Sequence, residues 1–557
     1  MSNRPFWIFG FSLVLGMQNL ALWVYGQSKI ILTDVSDQID AKFEHFNGKT
    51  GVPYIVETVT SGIATFDYDG DGMMDVYILN GAPLLDAPAD PSKTNHLFRN
   101  VGEFQFVDVT SASGTGDLGF ALGVAAGDFD NDGDQDLFVS NFGPNILLEN
   151  NGDGTFARYE FPNSKNKARI GAGVSLLDIE RDGNLDIFFA NYVDFSFEKD
   201  SSRMIFGRLE APGPKNYDPD TNTLLANKGD GTFVDISVES GIASVAGPGM
   251  GVVSFVYDMD GDVDVFVCND SAANFLFQNE GGGRFSEVGL ITGVAYDVKG
   301  NQQATMGVDL GDFNGDGLLD LVTTNFSDEI PTLYLNSGMG FFDDVGPGIG
   351  LGIASNFVKW GVAFVDWDND GWQDLMMATG HVLESVAKIN DRESFASRNY
   401  FFRNLQGKRF AEISAEIGNA AKSVKVSRAL AVEDFDNDGD VDAVVLNQND
   451  SLQWIRNDSH SKNNWIDLKL VGIESNRDAV GAKVVVKCDG RKLVQEVLSG
   501  RGYQSHFGSR LHFGLGAVNG VEVEIQWPSN RSQKLPKMEA GHRWLVCEGS
   551  DQIERLP

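Results

Sequence analysis

The chain has 557 residues, 42% of them apolar and 11% aromatic, with 64 Gly and only 16 Pro. That composition excludes a disordered or collagen-like polymer and supplies enough apolar side chain for a large core. The 79 Asp and Glu outnumber 43 Lys and Arg, a formal charge of −36; so acidic a chain repels phosphate backbones, and nucleic acid is not an expected partner.

Residues 1–26 read as an export signal: Arg4, an apolar run from Phe6 to Leu15 that resumes from Leu20 to Tyr25, and Gly26 as the residue before the cut. The alternative is a retained anchor. Gln18 and Asn19 speak against it by interrupting the roughly 20 apolar residues that a bilayer span requires. Ile31-Leu32-Thr33-Asp34-Val35 follows as a short strand.

From residue 67 a nine-residue pattern occurs seven times, with acidic residues at positions 1, 3, 5 and 9 and Gly at position 6. The first copy carries Asp67, Asp69, Asp71 and Asp75 with Met73 at position 7, and the second Asp128, Asp130, Asp132 and Asp136 with Asp134. The third has Asp178, Glu180, Asp182 and Asp186 with Asn184; the fourth begins on Val256 and keeps Asp258, Asp260 and Asp264 with Asp262. The fifth has Asp312, Asn314, Asp316 and Asp320 with Leu318, and the sixth Asp366, Asp368, Asp370 and Asp374 with Trp372. The seventh has Asp434, Asp436, Asp438 and Asp442 with Asp440. Position 7 tolerates Leu and Trp, so it can offer only its backbone.

A hard cation imposes this pattern: side-chain oxygens at 1, 3, 5 and 9, a main-chain carbonyl at 7, and Gly where the chain turns sharply. The expected ion is Ca2+, about five to seven per chain. An EF-hand is excluded, because its loop needs a bidentate Glu at position 12, where these loops have strand residues such as Ile78 and Val139. The alternative is a set of ion-free Asx turns, which leaves four carboxylates within nine residues to repel one another. Val256 and Asn314 each remove a carboxylate, so the fourth and fifth loops are the expected weak sites.

Gly lies five residues ahead of the loop in six copies (Gly62, Gly123, Gly173, Gly251, Gly307, Gly361), with Ala429 in the seventh. Apolar runs on both sides make each loop the turn of a buried hairpin. A third and a fourth short strand follow, as in Asn145-Ile146-Leu147-Leu148 and Phe233-Val234-Asp235-Ile236. Seven such units predict an all-β chain with a seven-bladed β-propeller over residues 30–455. The seventh unit has no fourth strand of its own, and Ile31–Val35 is the expected replacement, closing the ring and removing an edge.

Between the third and fourth loops, Tyr192 to Thr221 is longer than a hairpin needs and carries Phe195, Phe197, Arg203, Phe206, Arg208 and Tyr217. It is either a partner-binding loop or a lid packed over one face. Residues 463–548 change character, alternating apolar and polar in Lys483 to Lys487 and Val521 to Trp527, with Asp489-Gly490 as a hairpin turn. A small β-sandwich is expected. From residue 455 the chain carries a net +3 against −39 before it, so this part either docks on the acidic propeller or faces an anionic surface. Cys488 and Cys547 both lie here and can pair, which would leave Cys268 as a buried thiol.

The seven acidic loops with their flanking strands resemble the FG-GAP or VCBS repeats, whose calcium-bearing propellers include the integrin alpha head. From Trp465 the chain looks like an ASPIC/UnbV domain, on Gly481-Ala482-Lys483-Val484, Gly500-Arg501-Gly502-Tyr503-Gln504-Ser505, Arg510-Leu511-His512-Phe513-Gly514-Leu515-Gly516 and Val523-Glu524-Ile525-Gln526-Trp527-Pro528. The combination is similar to the cartilage acidic protein group and its bacterial relatives, and the resemblance implies a secreted calcium-binding interaction protein and no reaction.

No nucleophile with its base and no catalytic metal spacing stands out. The histidines His45, His96, His381, His460, His506, His512 and His542 are scattered. His506 and His512, near Arg501, Tyr503 and Arg510, either hold an anion or a sugar or belong to the sandwich. The expected function is a non-catalytic adhesion or interaction scaffold, secreted, at the cell surface or periplasmic, that binds an extracellular protein or polysaccharide. The competing expectations are a polysaccharide-active enzyme or its accessory module, and a self-assembling structural module.

Overall fold

The apolar runs beside each acidic loop pair as antiparallel strands, Ile63–Phe66 with Asp75–Ile78 in the first copy and Ser427–Glu433 with Asp442–Asn447 in the last. The computed structural model describes residues 29–85, 87–160, 169–200 and 202–557, and the expected export signal lies outside them. The described residues are almost entirely β, in several small sheets. Each loop hairpin is extended by two more strands into a four-stranded antiparallel array, and the fourth and fifth arrays are joined where Asp270 pairs with Ala304.

The first strands of the arrays are buried along their whole length: Ile63–Phe66, Phe120–Gly127, Gly171–Leu177, Gly249–Phe255, Gln303–Gly311, Lys359–Val365 and Ser427–Glu433. Each touches the next, and the seventh touches the first. This crowding explains the glycine ahead of each loop. A Cβ at Gly123 would strike the Ala172 carbonyl of the next strand, and one at Gly361 would sit 2.9 Å from the Arg428 carbonyl. The seventh array takes its outer strand from the other end of the chain: Leu32–Asp34 pairs antiparallel with Gln453–Asn457, Leu32 opposite Asn457.

The Asp at position 9 holds each array to its own loop. One of its oxygens accepts the N–H of position 2 in the loop, and the other accepts the N–H of an Asn that ends the third strand, at 2.7–3.4 Å in all seven copies. The same Asn ties its array to the one before, its side-chain amide donating to the position-2 carbonyl of the preceding loop: Asn150 to Tyr68, Asn227 to Phe129, Asn279 to Ile179, Asn336 to Tyr257, Asn404 to Phe313 and Asn457 to Trp367. Asn100 completes the cycle by donating to Phe435 of the seventh loop at 2.7 Å.

The C-terminal region forms two sheets. In one, Leu511–Gly516, Asn464–Val471, His542–Cys547 and Ile553–Leu556 lie side by side, the middle pair parallel. In the other the order is Arg491–Glu496, Lys483–Cys488, Gly520–Gln526 and Ser532–Lys534. Asp489 and Gly490, with φ of 48° and 76°, make the tight turn expected of them. The two sheets share a core with Val174, Leu176 and Phe138 of the neighbouring arrays. Cys488 and Cys547 stand on different sheets and are both free thiols, as is Cys268, so the pairing that the sequence left open does not form.

Residues 499–507 run from these sheets into the space enclosed by the first strands. Leu176 donates to the Ser499 carbonyl at 2.9 Å, Gly502 exchanges two bonds with Val308 at 2.7 and 2.9 Å, and Val124 donates to the Gln504 carbonyl at 3.2 Å. His506 bonds Ile63 and Thr65, each at 2.9 Å. Arg501 pairs with the fully buried Asp309 of the fifth array, and the Tyr503 ring meets Trp360 of the sixth edge-on at 5.0 Å. The segment therefore supplies backbone partners to N–H and C=O groups of the first strands.

Two substitutions test these ties by chemical or thermal unfolding. Asn227→Leu strands the carbonyls of Phe129 and Leu185 and the N–H of Gly229, and a loss of about 2–4 kcal/mol is expected. Gly62→Ala drives a Cβ into the Gln504 carbonyl and should remove about 1–3 kcal/mol through displacement of the 499–507 segment. Wild-type stability in either variant would contradict the corresponding contact.

Candidate metal centres

Within each loop the position-5 carboxylate accepts the N–H of position 7, at 2.7–2.9 Å in all seven. This Asx turn uses no side chain at position 7, which is why Met73, Asp134, Asn184, Asp262, Leu318, Trp372 and Asp440 are all accommodated. The position-1 carboxylate accepts the N–H groups of positions 5 and 6, as Asp128 does from Asp132 at 3.1 Å and Gly133 at 2.8 Å. Asp178, Asp312, Asp366 and Asp434 repeat this, and Asp67 keeps only the bond from Gly72. Val256 has no oxygen to offer there.

These turns bring carboxylates together in four loops. Oxygens of Asp67, Asp69 and Asp71, of Asp128, Asp130 and Asp136, of Asp366, Asp368 and Asp374, and of Asp434, Asp436 and Asp442 lie within 4.8 Å of one another. Among the described residues the third loop (Asp178, Glu180, Asp182, Asp186), the fourth (Asp258, Asp260, Asp264) and the fifth (Asp312, Asn314, Asp316, Asp320) form no such group. For the fourth and fifth this follows the missing carboxylates; the third retains all four.

Burial makes the clusters electrostatically unsatisfied. It is the main reason the Asp136 carboxyl is pushed up to about 8 and Asp128 to about 7, with Asp478 adding to the effect at Asp128. In the sixth loop burial and then Asp370 push Asp368 up to about 7, and Asp366 and Asp374 stand well above the ordinary carboxylate range. At neutral pH such groups hold a proton or require a cation. The Oδ1 atoms of Asp67, Asp69 and Asp436 are buried with no protein partner. Every donor is a hard oxygen, with no nitrogen or sulfur in the set, which fits Ca2+ or Mg2+ and not zinc or copper.

Two features of the loops escape a reading of the acidic positions alone. Position 4 has φ between 56° and 72° in all seven copies: Gly70, Asn131, Arg181, Met259, Gly315, Asn369 and Asn437. Five of these are Gly or Asn, the residues that favour this region, and that was the available signal. The second is what covers the loops. Asp478 accepts the Asp128 N–H at 2.8 Å, Arg491 donates to the Gly371 and Asp370 carbonyls at 2.9 and 3.1 Å, and Arg510 donates to the Asp434 carbonyl at 2.8 Å. Arg543 donates to the Gly72 carbonyl at 3.1 Å, and His512 bonds Asn369 at 2.7 Å. The C-terminal sheets thus dock on the acidic loops, as their charge suggested.

Of the two readings of residues 501–512, the docking supports the structural one and leaves no free anion or sugar site there. Arg501 is committed to Asp309 and Arg510 to Glu433, while burial lowers His506 to about 3 and its Nδ1 faces the Gly500 N–H at 3.2 Å. The Tyr192 to Thr221 excursion leaves the opposite ends of the strands. Tyr192 and Phe195 are buried, Phe197 meets Tyr54 edge-on at 4.9 Å, Tyr217 packs near Phe195, and Glu210 accepts the Ser385 N–H at 3.0 Å. It is a packed lid whose hairpin of Arg203–Ile205 and Arg208–Glu210 pairs Arg208 with Glu384 and leaves Met204 and Phe206 66% and 61% exposed.

No helix among the described residues is long and apolar enough to cross a membrane. The FG-GAP-like repeat family matches residues 67–139, 128–189, 257–323 and 312–377, and the ASPIC and UnbV family matches residues 472–553. Cartilage acidic protein 1 of Homo sapiens is 28% identical over 326 residues, covering 56% of this chain and 45% of its own. The Mus musculus protein of the same name is 28% identical over 354 residues, covering 60% and 51%. The chain spans about half the length of the curated relatives it matches. Among solved structures, an Agrocybe aegerita lectin that recognises non-reducing terminal N-acetylglucosamine aligns with a TM-score of 0.39 and 16% identity over 70% of this chain and 87% of its own, too slight a likeness to carry an argument. The chain is an FG-GAP/VCBS-repeat protein with a C-terminal ASPIC/UnbV domain, related to the cartilage acidic proteins.

Proposed function

We propose that the protein is a secreted, calcium-binding, non-catalytic scaffold. Its seven arrays are the blades of a seven-bladed propeller over residues 30–455, and residues 463–548 form a β-sandwich that caps the metal-loop face. The four clusters of three carboxylates, repeated at one place in the arrays, are the observation that carries this reading. Ca2+ would be held by side-chain oxygens at positions 1, 3, 5 and 9 and the carbonyl of position 7, with five to seven ions per chain and the second and seventh loops filled before the fourth.

The face away from these loops is the proposed contact surface for an extracellular protein or polysaccharide. What supports it is occupancy: the C-terminal sheets already cover the loop side and residues 499–507 already fill the centre. The exposed Phe206 and Met204 on the lid are the apolar anchors that such a surface needs.

Thermal unfolding of the full chain in excess Ca2+ and in chelator, with elemental analysis, tests the metal reading. Ions bound at a thousand times their dissociation constant stabilise by about 4 kcal/mol each, so an upward shift of many degrees and several Ca2+ per chain are expected. An unchanged midpoint and no bound metal would contradict it.

A further inference from the structure

The loops share a ligand pattern, but what faces them differs. In the first loop the Arg99 guanidinium lies 2.7 Å from Asp69 and 3.0 Å from Asp71, and Lys469 reaches Asp67 at 3.4 Å. In the sixth, Arg403 pairs with Asp368, both side chains nearly buried. Arg99 and Arg403 occupy the same place, the residue before the Asn that ends the third strand. That place is Glu149 in the second array, Ala226 in the third and Leu335 in the fifth. Arg456 occupies it in the seventh but pairs with Asp458 at 2.8 Å. The second loop has an additional acid instead, Asp478, whose carboxylate accepts the Asp128 N–H at 2.8 Å.

We propose that this strand residue sets the cation affinity of its loop, so that Arg99 and Arg403 make the first and sixth loops weak sites and the second loop is the strong one. The inference rests on the metal reading above. A ligand is called for in the first loop independently of its acidity: the Asp67 side chain is only 6% exposed, and its Oδ1 has no protein partner. Arg99 has two opposed effects there. It holds Asp69 and Asp71 in position, which for an ion pair this exposed amounts to a few-fold in binding at most. It also places a unit positive charge against two of the carboxylates that would hold the ion, and a like charge at a separation of about 5 Å would weaken binding of a divalent ion by roughly tenfold even at the dielectric constant of water. Repulsion wins, and removing the charge should tighten the site.

The experiment is calorimetric titration of the full chain with Ca2+, comparing wild type, Arg99→Gln, Arg99→Lys, Arg99→Gln with Asp71→Asn, and Glu149→Arg, each shown by circular dichroism to be folded in chelator. Arg99→Gln should tighten one site by roughly three- to tenfold, the repulsion less any lost positioning, Arg99→Lys should show no such gain, and adding Asp71→Asn should abolish it. Glu149→Arg should weaken the tightest site by a similar factor. Unchanged or weaker binding in Arg99→Gln, or a gain in Arg99→Lys, overturns the proposal while leaving calcium binding intact. No uptake of Ca2+ by any form, wild type included, overturns both.

Discussion

One short-range interaction organises the molecule: a buried Asp at the end of each loop whose two oxygens are spent on two backbone N–H groups, one in its own loop and one at the end of the third strand. Because that strand ends on an Asn whose amide reaches the preceding loop, every carboxylate fixes a loop, an array and, through the Asn, the junction to the array before it. A buried Asn paired on both sides is costly to disrupt, since each deserted carbonyl or N–H forfeits its hydration without recompense. Seven copies make the arrangement a cycle, with Asn100 and Phe435 as the closing pair. In the second, sixth and seventh loops the same carboxylate lies within 4.8 Å of those of positions 1 and 3, so there the group that builds the turn is also one available to a cation.

The charge state of the loops follows from this dual use. Asp136 and Asp374 are buried because they are structural, and burial raises the free energy of their ionised forms. Adding Asp at positions 1, 3 and 5 compounds the strain, and the protein offsets it in different ways from loop to loop: guanidinium groups at the first and sixth, backbone N–H groups at position 1 wherever an Asp stands there, and Arg181 reaching Asp262 at 2.8 Å beside the fourth, where Val256 has removed a carboxylate. The loops are therefore chemically unequal despite their shared spacing.

The loops were legible in the sequence because their logic is local: nine residues contain the acids, the turn glycine and the strand boundaries. The outer strand at Leu32–Asp34 was legible because the seventh unit visibly lacked one. The Asn bridge was not, although an Asn stands at the end of every third strand, because its partner carbonyl lies tens to hundreds of residues away and leaves no spacing to read. For residues 499–507 a structural role was one of two readings, and their place was hidden for the same reason: Arg501 and His506 could equally line an anion site until Asp309 and the first strands, remote in sequence, are found to occupy their hydrogen-bonding groups. The parallel pairing of Asn464–Val471 with His542–Cys547 also brings together segments far apart in the chain, and it separates Cys488 from Cys547.

With the centre filled and the loop side covered, the proposed metal and partner fall at opposite ends of the strands, the lid side presenting the exposed Phe206 and Met204. The claim everything rests on is that the carboxylates converge on an ion. The most direct measurement is a crystal structure of the protein with Ca2+, with anomalous differences used to locate the metal. The account predicts peaks inside the loops, the second loop foremost, each with carboxylate oxygens of positions 1, 3, 5 and 9 at about 2.3–2.6 Å. Loops free of anomalous density at saturating Ca2+, with Asp128, Asp130 and Asp136 bonded only to the backbone, would contradict it.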